Sequence, residues 1–208
     1  MDNYVLPKKP EPSEKYVELV EADKDLHKEE DKFRGISLVP FAYDIYNILL
    51  HNNCKSILDY GCGKAIPYKE NHRDVDPKKK IPNFDKPLHK WWGVDELFLY
   101  DPAYPEHDKL PTKKYDMVIC TDVLEHIPEE DLDWVIRELC SFSQSTMFIN
   151  VSTLPAKKTF KTGKYKGENV HVTVHDHEWW LNKVSEIWND NKNLKIYLTS
   201  TSNEGIMG

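Results

Sequence analysis

The sequence lacks an apolar run close to the roughly 20 residues that a membrane-spanning helix needs. Residues 1–12 are polar, which is unlike a signal peptide. The four cysteines, Cys54, Cys62, Cys120 and Cys140, do not have the spacing of a metal-binding motif. We therefore expect reduced thiols, a cytoplasmic location and no association with a membrane.

Positive charge is also scarce, because 28 Lys and Arg face 35 Asp and Glu, for a net charge of −7. This balance argues against binding to bulk nucleic acid, whose phosphates attract an excess of basic side chains. The 208 residues include 39% hydrophobic residues and six Trp, enough for a real core. We predict one domain over residues 35–208 and a charged arm over 1–34, with a helix within 13–32 that Ser13 could cap.

Strand and helix patterns alternate along the rest of the chain. Apolar residues at period two or in short runs predict strands at 56–60, 96–100, 115–120, 146–151 and 194–199. Helical spacing and capping signals predict helices at 36–50, 128–141 and 176–189. Residues 68–90 are predicted to form a long surface excursion, and 170–174 a short extended piece. The alternation predicts an α/β fold, a Rossmann-like three-layer sandwich with a mainly parallel central sheet.

The most informative motif is the stretch I-L-D-Y-G-C-G-K-A-I at residues 57–66. A strand here runs into Gly61 and Gly63, and a helix can follow. Glycine lets the backbone approach a ligand closely, and the amide groups at the start of the helix point to the same spot. The motif therefore predicts a nucleotide-binding loop.

Acidic residues follow the next two predicted strands. In an open parallel sheet the ligand lies beyond the carboxyl ends of the strands. Asp101 could accept hydrogen bonds from both hydroxyls of a ribose. Asp95 is its rival, and we prefer Asp101 because the apolar run leads directly into it. The alternative for either aspartate is an ordinary turn residue. Asp122 and Val123 follow the third strand and complete the predicted site.

Three stretches together resemble the class I S-adenosylmethionine-dependent methyltransferases, of the small bacterial and phage-borne type. They are D-Y-G-C-G-K-A at 59–65, L-Y-D-P at 99–102 and Y-D-M-V-I-C-T-D-V-L-E-H-I-P at 115–128. The resemblance covers the chain from about residue 40 to 200, and the third stretch is its most specific part. The first stretch would also suit a nicotinamide dehydrogenase, but those enzymes usually have a further glycine where this chain has Ile66.

The resemblance implies that S-adenosylmethionine is the cofactor and assigns residues to it. Those placed near the methionine part, the ribose or the adenosine are Asp59, Gly61, Cys62, Gly63, Asp101, Asp122 and Val123. Carboxylates and aromatic faces favour a sulfonium cation. Methyl transfer gains mostly from alignment of the acceptor with the methyl carbon, and a general base is optional.

Three features depart from the family pattern. Ala65 replaces the usual glycine, which should be tolerated if its φ is not positive. The short interval between Asp101 and Asp116 has no room for both a helix and a strand, which predicts a sheet trimmed at one edge. Asp108 or Leu110 would then form the adenine-side wall. About eight residues follow Ser200, so the usual final antiparallel strand is expected to be short or missing.

Histidines supply the candidate catalytic groups. His171, in an Asn-x-His element that similar proteins also carry, is a candidate base, and His175 shares its face in an extended chain. His126 would orient its loop, cap the helix or touch the substrate. A metal cluster of His171, His175 and His177 is conceivable, but His177 should begin a helix and the carboxylates are adjacent rather than convergent. We therefore predict no metal.

The loop 152–168 carries five lysines and one glutamate. It leaves a strand end beside the predicted site, so it could be a lid over an anionic substrate. The alternative is a solvated loop. The lysines are Lys157, Lys158, Lys161, Lys164 and Lys166.

The sequence thus predicts an S-adenosylmethionine-dependent methyltransferase acting on a small-molecule or nucleotide-linked acceptor. Three alternatives stay open. The chain could catalyse another reaction on the same cofactor, such as cleavage or decarboxylation. It could be a degenerate module that binds the cofactor without methyl transfer. A nicotinamide dehydrogenase is the third alternative, against which the glycine spacing argues.

Overall fold

The computed structural model describes residues 10–70, 86–190 and 192–201. They form an α/β fold around a sheet in which every pairing between strands is parallel. In chain order the strands are β1 Ser56–Tyr60, β2 Glu96–Tyr100, β3 Tyr115–Thr121, β4 Ser143–Ser152 and β5 Lys195–Thr201. The predicted fold class is confirmed.

The order of the strands across the sheet is β2-β1-β3-β4-β5. Strand β2 is therefore an edge strand, and residues 101–114, which link it to β3, contain no helix. The trimmed edge is as predicted. Residues 202–208, where the last antiparallel strand was expected to be short or missing, lie outside the described residues.

Helices cover both faces of the sheet. The α-helices are α1 Glu14–His27, α2 Ala42–His51, α3 Ile66–Lys69, α4 Leu88–Trp92, α5 Leu132–Phe142 and α6 His177–Trp188. Helices α5 and α6 bury their apolar residues on one face, and α2 and α4 bury theirs on the other. Within the described residues no helix is long and apolar enough to cross a membrane.

Several predicted boundaries differ from the structure. The helix predicted at 36–50 begins only at Ala42, because the preceding Val39–Phe41, which contains Pro40, forms a 3₁₀ turn. Pro128 likewise precedes a 3₁₀ turn, and α5 begins four residues later at Leu132. The excursion predicted at 68–90 is partly wrong, because Leu88 begins a short helix that buries Leu88 and Trp92. Residues 71–85 of that excursion lie outside the described residues.

The helix predicted within residues 13–32 is confirmed as α1, and it lies against the domain. Ser13 caps it, because its hydroxyl accepts a hydrogen bond from the backbone N–H of Tyr16. Tyr16 joins the main core, while Leu19 and Leu26 pack with Phe160 of the loop between β4 and α6. Burial of these side chains outweighs the high charge of the segment and holds α1 on the domain.

Candidate functional site

The candidate site lies at the carboxyl ends of β1, β2 and β3. Strands β2 and β3 lie on opposite sides of β1, so the order of the strands reverses direction at β1. Such a switch point opens a crevice at the carboxyl ends of the strands in a parallel sheet. Here the crevice is a cavity of about 80 Å³. Its walls are Tyr16, Leu19, Val20, Asp23, His27, Phe33, Gly61, Asp101, Pro102, Ala103, Asp122, Val123, His126 and Ile127.

Four of the seven predicted cofactor residues line this cavity, namely Gly61, Asp101, Asp122 and Val123. The other three, Asp59, Cys62 and Gly63, are packed in the protein next to it and are not part of its walls. Leu110 packs against the main core and Asp108 is exposed, and neither of them lines the cavity. Pro102 and Ala103, which follow Asp101, do line it.

Close contacts within the chain require glycine at two positions of the loop after β1. Gly61 has φ +82°, and a Cβ there would lie 2.2 Å from Cγ2 of Val123. Gly63 has φ +55°, and a Cβ there would lie 2.3 Å from the carbonyl oxygen of Phe33. Glycine permits a close approach of other atoms to the backbone. At Gly63 the atoms that approach belong to the segment after α1.

Ala65 adopts a left-handed conformation with φ +55° and is fully buried. The condition for tolerating alanine at this position, a φ that is not positive, is therefore not met. A left-handed alanine costs about 1–2 kcal/mol. Its position is held by neighbouring backbone, since the N–H of Ala65 donates to the carbonyl of Cys62 and the N–H of Ile66 to that of Arg34.

Asp101 is buried and faces the glycine loop. Its Oδ2 accepts the N–H of Gly63 at 2.9 Å, and its Oδ1 accepts the N–H of Ala103 at 2.9 Å. The carboxylate therefore holds two turns of the backbone while forming part of the cavity wall. Its rival Asp95 is exposed and does not line the cavity.

Asp59 is the residue before the last one of β1 and is buried at 1% exposure. Burial raises the pKa of Asp59 to about 7, and the negative charge of Asp101 adds to that rise. Within the described residues its Oδ2 has no hydrogen-bond partner. Burial also raises the pKa of the neighbouring Cys62 thiol, which is therefore a poor nucleophile.

Helix α1 forms the outer wall of the cavity, a feature that the sequence patterns did not predict. Its contributors are Tyr16, Leu19, Val20, Asp23 and His27. These positions follow the spacing of one helical face, so the available signal was an aspartate and a histidine on an otherwise apolar stripe of the helix. In the structure His27 is buried and Asp23 is half-buried. Burial raises the pKa of Asp23 to about 7, and the charge of Asp101 raises it further.

The segment after α1 continues this cover. The ring of His27 stacks on Phe33 at 4.5 Å between centroids and on Tyr104 at 5.5 Å. The N–H of Lys64 donates to the carbonyl of Phe33 at 2.8 Å, and its ammonium group binds the carbonyl of Glu29. Ligand sites usually have volumes of roughly 300 Å³ or more. A nucleoside therefore requires α1 and Phe33 to move.

Two of the three candidate catalytic histidines come together beside the cavity. His126 and His171 lie 4.9 Å apart between ring centroids, and one ligand atom from each, with a carboxylate oxygen of Asp122, fall within 4.8 Å of one another. His175 lies apart from them, since its Nε2 contacts Glu129 at 3.0 Å and its ring stacks on Trp179.

Burial lowers the pKa of His126 to about 4, so its imidazole is neutral at pH 7. Its Nδ1 is buried and has no hydrogen-bond partner in the described part of the chain. His171 is fixed by a contact of 2.7 Å between its Nδ1 and the carbonyl of Leu154. This bond assigns the proton to Nδ1 and leaves Nε2 as an acceptor.

Glu125 supports this corner from inside the fold. It is fully buried, and its Oε1 accepts the N–H of Ser152 at 2.5 Å. Its backbone carbonyl accepts the N–H groups of Val172 and Thr173, which ties the loop before α6 to the end of β3. Burial raises the pKa of Glu125 well above its ordinary value, and the neighbouring Asp122 carboxylate adds to the rise.

The lysine-rich loop 152–168 lies against α1. Lys161 pairs with Glu29 at 2.8 Å, and Lys164 pairs with Glu18 at 2.9 Å. The Lys158 ammonium group lies 5.1 Å from the centre of the Phe33 ring. These contacts make the loop a support for α1, whereas the sequence suggested either a lid over substrate or a solvated loop.

A second and larger space, of about 810 Å³, is an open groove between the outer side of α1 and the lysine-rich loop. Much of its wall consists of residues that are joined in surface ion pairs, such as Glu18 and Lys164. His27 lines both this groove and the cavity, whereas none of the seven predicted cofactor residues lines the groove. The groove is therefore not the site that the sequence predicted.

No protein-family model, no curated protein and no solved structure matches this chain.

Proposed function

We propose that this protein binds S-adenosylmethionine in the crevice at the ends of β1, β2 and β3 and transfers its methyl group to a small acceptor. One observation carries the proposal: the glycine loop, Asp101, and the pair Asp122 and Val123 come from three strand ends and meet around one cavity. These residues belong to the motifs that resemble those of class I methyltransferases.

The charge and ring content of the crevice suit a sulfonium cation. Asp23, Asp101 and Asp122 line the cavity, and among the described residues no Lys or Arg does. In the closed form the rings of Tyr16 and Phe33 also face it. When α1 and Phe33 move to admit the cofactor, the Asp101 and Asp122 carboxylates remain at the strand ends and supply the attraction for the cation.

Cofactor entry is coupled to movement of α1 in this proposal. The closed form leaves about 80 Å³, so the competent form is the one in which α1 has swung away. Binding affinity is then reduced by the fraction of molecules that are open. Asp101 would exchange part of its contact with the backbone N–H groups of Gly63 and Ala103 for the ribose hydroxyls.

The histidine pair then serves the acceptor. His126 lines the cavity and is neutral at pH 7, because burial lowers its pKa to about 4. His171 lies beside it, and its contact with Leu154 leaves Nε2 as an acceptor. Either imidazole can take a proton from an acceptor hydroxyl or amine as the methyl group is transferred.

The test compares Asp101→Asn with its matched control Asp95→Asn. Equilibrium dialysis should show that Asp101→Asn weakens binding of S-adenosylhomocysteine by at least tenfold, while Asp95→Asn binds as wild type. If both variants bind equally well, and circular dichroism shows that both are folded, Asp101 is not part of the binding site. Mass spectrometry of reactions with an acceptor panel should detect the demethylated product rather than cleavage or decarboxylation products.

The small closed cavity favours one alternative, a module that has kept the fold and binds the cofactor without methyl transfer. In that case dialysis would show binding of the cofactor, and mass spectrometry would show no demethylated product with any acceptor.

A further inference from the structure

We propose that Asp122, His126 and His171 bind a divalent transition-metal ion of the Zn²⁺ class at the edge of the crevice. The sequence grouped His171 with His175 and His177, and the fold places it instead beside two residues from the end of β3. The three side chains each offer one ligand atom, and these atoms lie within 4.8 Å of one another.

The spacing is close to that of a coordination sphere. Zinc lies about 2.0–2.2 Å from imidazole nitrogen and carboxylate oxygen, which separates neighbouring ligand atoms by roughly 3–3.5 Å. Small rotations of the three side chains are sufficient to close the difference. Asp122 is exposed and has the freedom to make that movement.

His171 is already oriented as metal ligands usually are. Its Nδ1–H donates to the carbonyl of Leu154, so Nε2 presents a lone pair. Asn169 fixes the backbone of this segment, because its Oδ1 accepts the N–H groups of His171 and Ala156. Its Nδ2 donates to the carbonyl of Ala156. The Asn-x-His element thus has a structural purpose, which is to hold the imidazole in one direction.

His126 supplies a second, independent observation. Its Nδ1 is buried and lacks a hydrogen-bond partner anywhere in the described ranges. A buried nitrogen without a partner is unfavourable, and coordination of a cation would satisfy it. Oε2 of Glu125, the buried acid beside Asp122, is unpartnered in the same part of the structure. A carboxyl group in that place can hydrogen-bond to Asp122 and orient it, as outer groups commonly do for ligating carboxylates.

The donor set selects the class of ion. Two imidazoles and one carboxylate suit Zn²⁺ and its first-row neighbours, whereas Mg²⁺ and Ca²⁺ prefer oxygen ligands. Three protein ligands leave a coordination position open. Asp122 and His126 also line the cavity, so an ion that they hold would border the crevice. Resting on the proposed function, we infer that in the metal-bound form the ion would hold an oxygen of the methyl acceptor and lower its pKa, in place of proton removal by either imidazole.

Lys158 adds a charge that bears on the ion. Its ammonium group lies 5.1 Å from the centre of the Phe33 ring, and that ring lies 6.2 Å from the His126 ring between centroids. Such a charge opposes a bare cation but favours an anionic group shared between the metal and the lysine. Metal affinity should therefore be higher when the charge of Lys158 is removed.

The experiment titrates ZnCl₂ into the full-length, tag-free, chelator-treated protein by calorimetry, with no cofactor present. Wild type should bind one Zn²⁺ saturably, and Asp122→Asn and His171→Gln should each weaken binding at least tenfold. The control His175→Gln, whose ring lies outside the cluster, should bind as wild type. Absence of saturable binding by wild type, or binding as tight as that of wild type in both Asp122→Asn and His171→Gln, would overturn the proposal.

Lys158→Gln keeps the test decisive if the ligand variants fail to fold. It should tighten Zn²⁺ binding about threefold or more, while Lys157→Gln, an exposed neighbour, should leave it unchanged. Equal affinity in wild type and Lys158→Gln would contradict the location of the site. Because cofactor binding is measured separately in the presence of a chelator, failure of the metal site and failure of the proposed function give different results.

Discussion

Ser13 and Asp131, which are 118 positions apart, make two hydrogen bonds to each other. The Ser13 hydroxyl donates to Oδ2 of Asp131 at 2.5 Å, and its backbone N–H donates to Oδ1 at 2.9 Å. The same hydroxyl accepts the N–H of Tyr16 and so caps α1. This pair therefore fastens the first turn of α1 to the segment that begins α5, and with it one end of the cover over the crevice.

Removing the Ser13 hydroxyl should loosen that cover. Ser13→Ala loses the cap and one bond to a buried carboxylate, which together should lower the free energy of unfolding by about 1–2 kcal/mol. Hydrogen exchange within Glu14–His27 should accelerate. The apparent affinity for S-adenosylhomocysteine should rise, because more molecules are open. Ser13→Thr keeps a hydroxyl and is the control, and equal exchange in both variants would show that this contact does not hold α1.

Asp23 and Asp59 should make stability fall as the pH rises from about 4 to 7, while His126, whose pKa burial lowers to about 4, contributes in the opposite direction below about pH 6.5. Burial raises the pKa of Asp23 and of Asp59 to about 7, above the ordinary value of 3.8, so the folded state binds more protons than the unfolded state in this range. Their contribution to stability is full below pH 4 and is lost as the pH passes 7. Urea unfolding at intervals from pH 4.5 to 8 measures the slope.

Asp23→Asn should flatten that slope, because the amide carries no charge to bury next to Asp101. At pH 8 the variant should be more stable than wild type, by on the order of 1–3 kcal/mol. Asp25→Asn is the control on the same helix, since Asp25 is exposed and pairs with Lys28. If both variants keep the wild-type slope, Asp23 is not buried beside Asp101 in solution.

The contact between the glycine loop and the segment after α1 can be tested by adding a methyl group. Gly63→Ala would place a Cβ 2.3 Å from the carbonyl oxygen of Phe33, at a φ of +55°. It should destabilise the fold by about 2–4 kcal/mol, from strain and overpacking together. Gly93→Ala has a similar φ of +69° and no atom within 4 Å, so it should cost only about 1–2 kcal/mol. Thermal unfolding compares the two, and equal losses would mean that Phe33 does not lie on the loop.

The sheet and most helices could be predicted from the sequence, because they depend on local patterns. The apolar runs that end at Tyr60 and Tyr100 predicted the strands, and Ser13 predicted the start of α1. The packing of α1 over the crevice could not be predicted, because it depends on contacts with residues far along the chain, such as Asp131 and Lys64.

The arrangement of the histidines could not be predicted for a related reason. Nearness along the chain grouped His171 with His175, but the hydrogen bond from His171 to Leu154 turns the first imidazole toward His126. His175 instead stacks on Trp179 in the first turn of α6. The left-handed φ of Ala65 could not be predicted from the sequence either, because contacts with neighbouring backbone impose it.

Calorimetric titration of S-adenosylhomocysteine into the wild-type protein tests the proposed cofactor most directly. A single saturable site with a dissociation constant on the order of micromolar, and a matching rise in melting temperature, is the expected result. Absence of both heat and thermal shift with this ligand and with S-adenosylmethionine would show that the crevice is filled by α1 and binds neither.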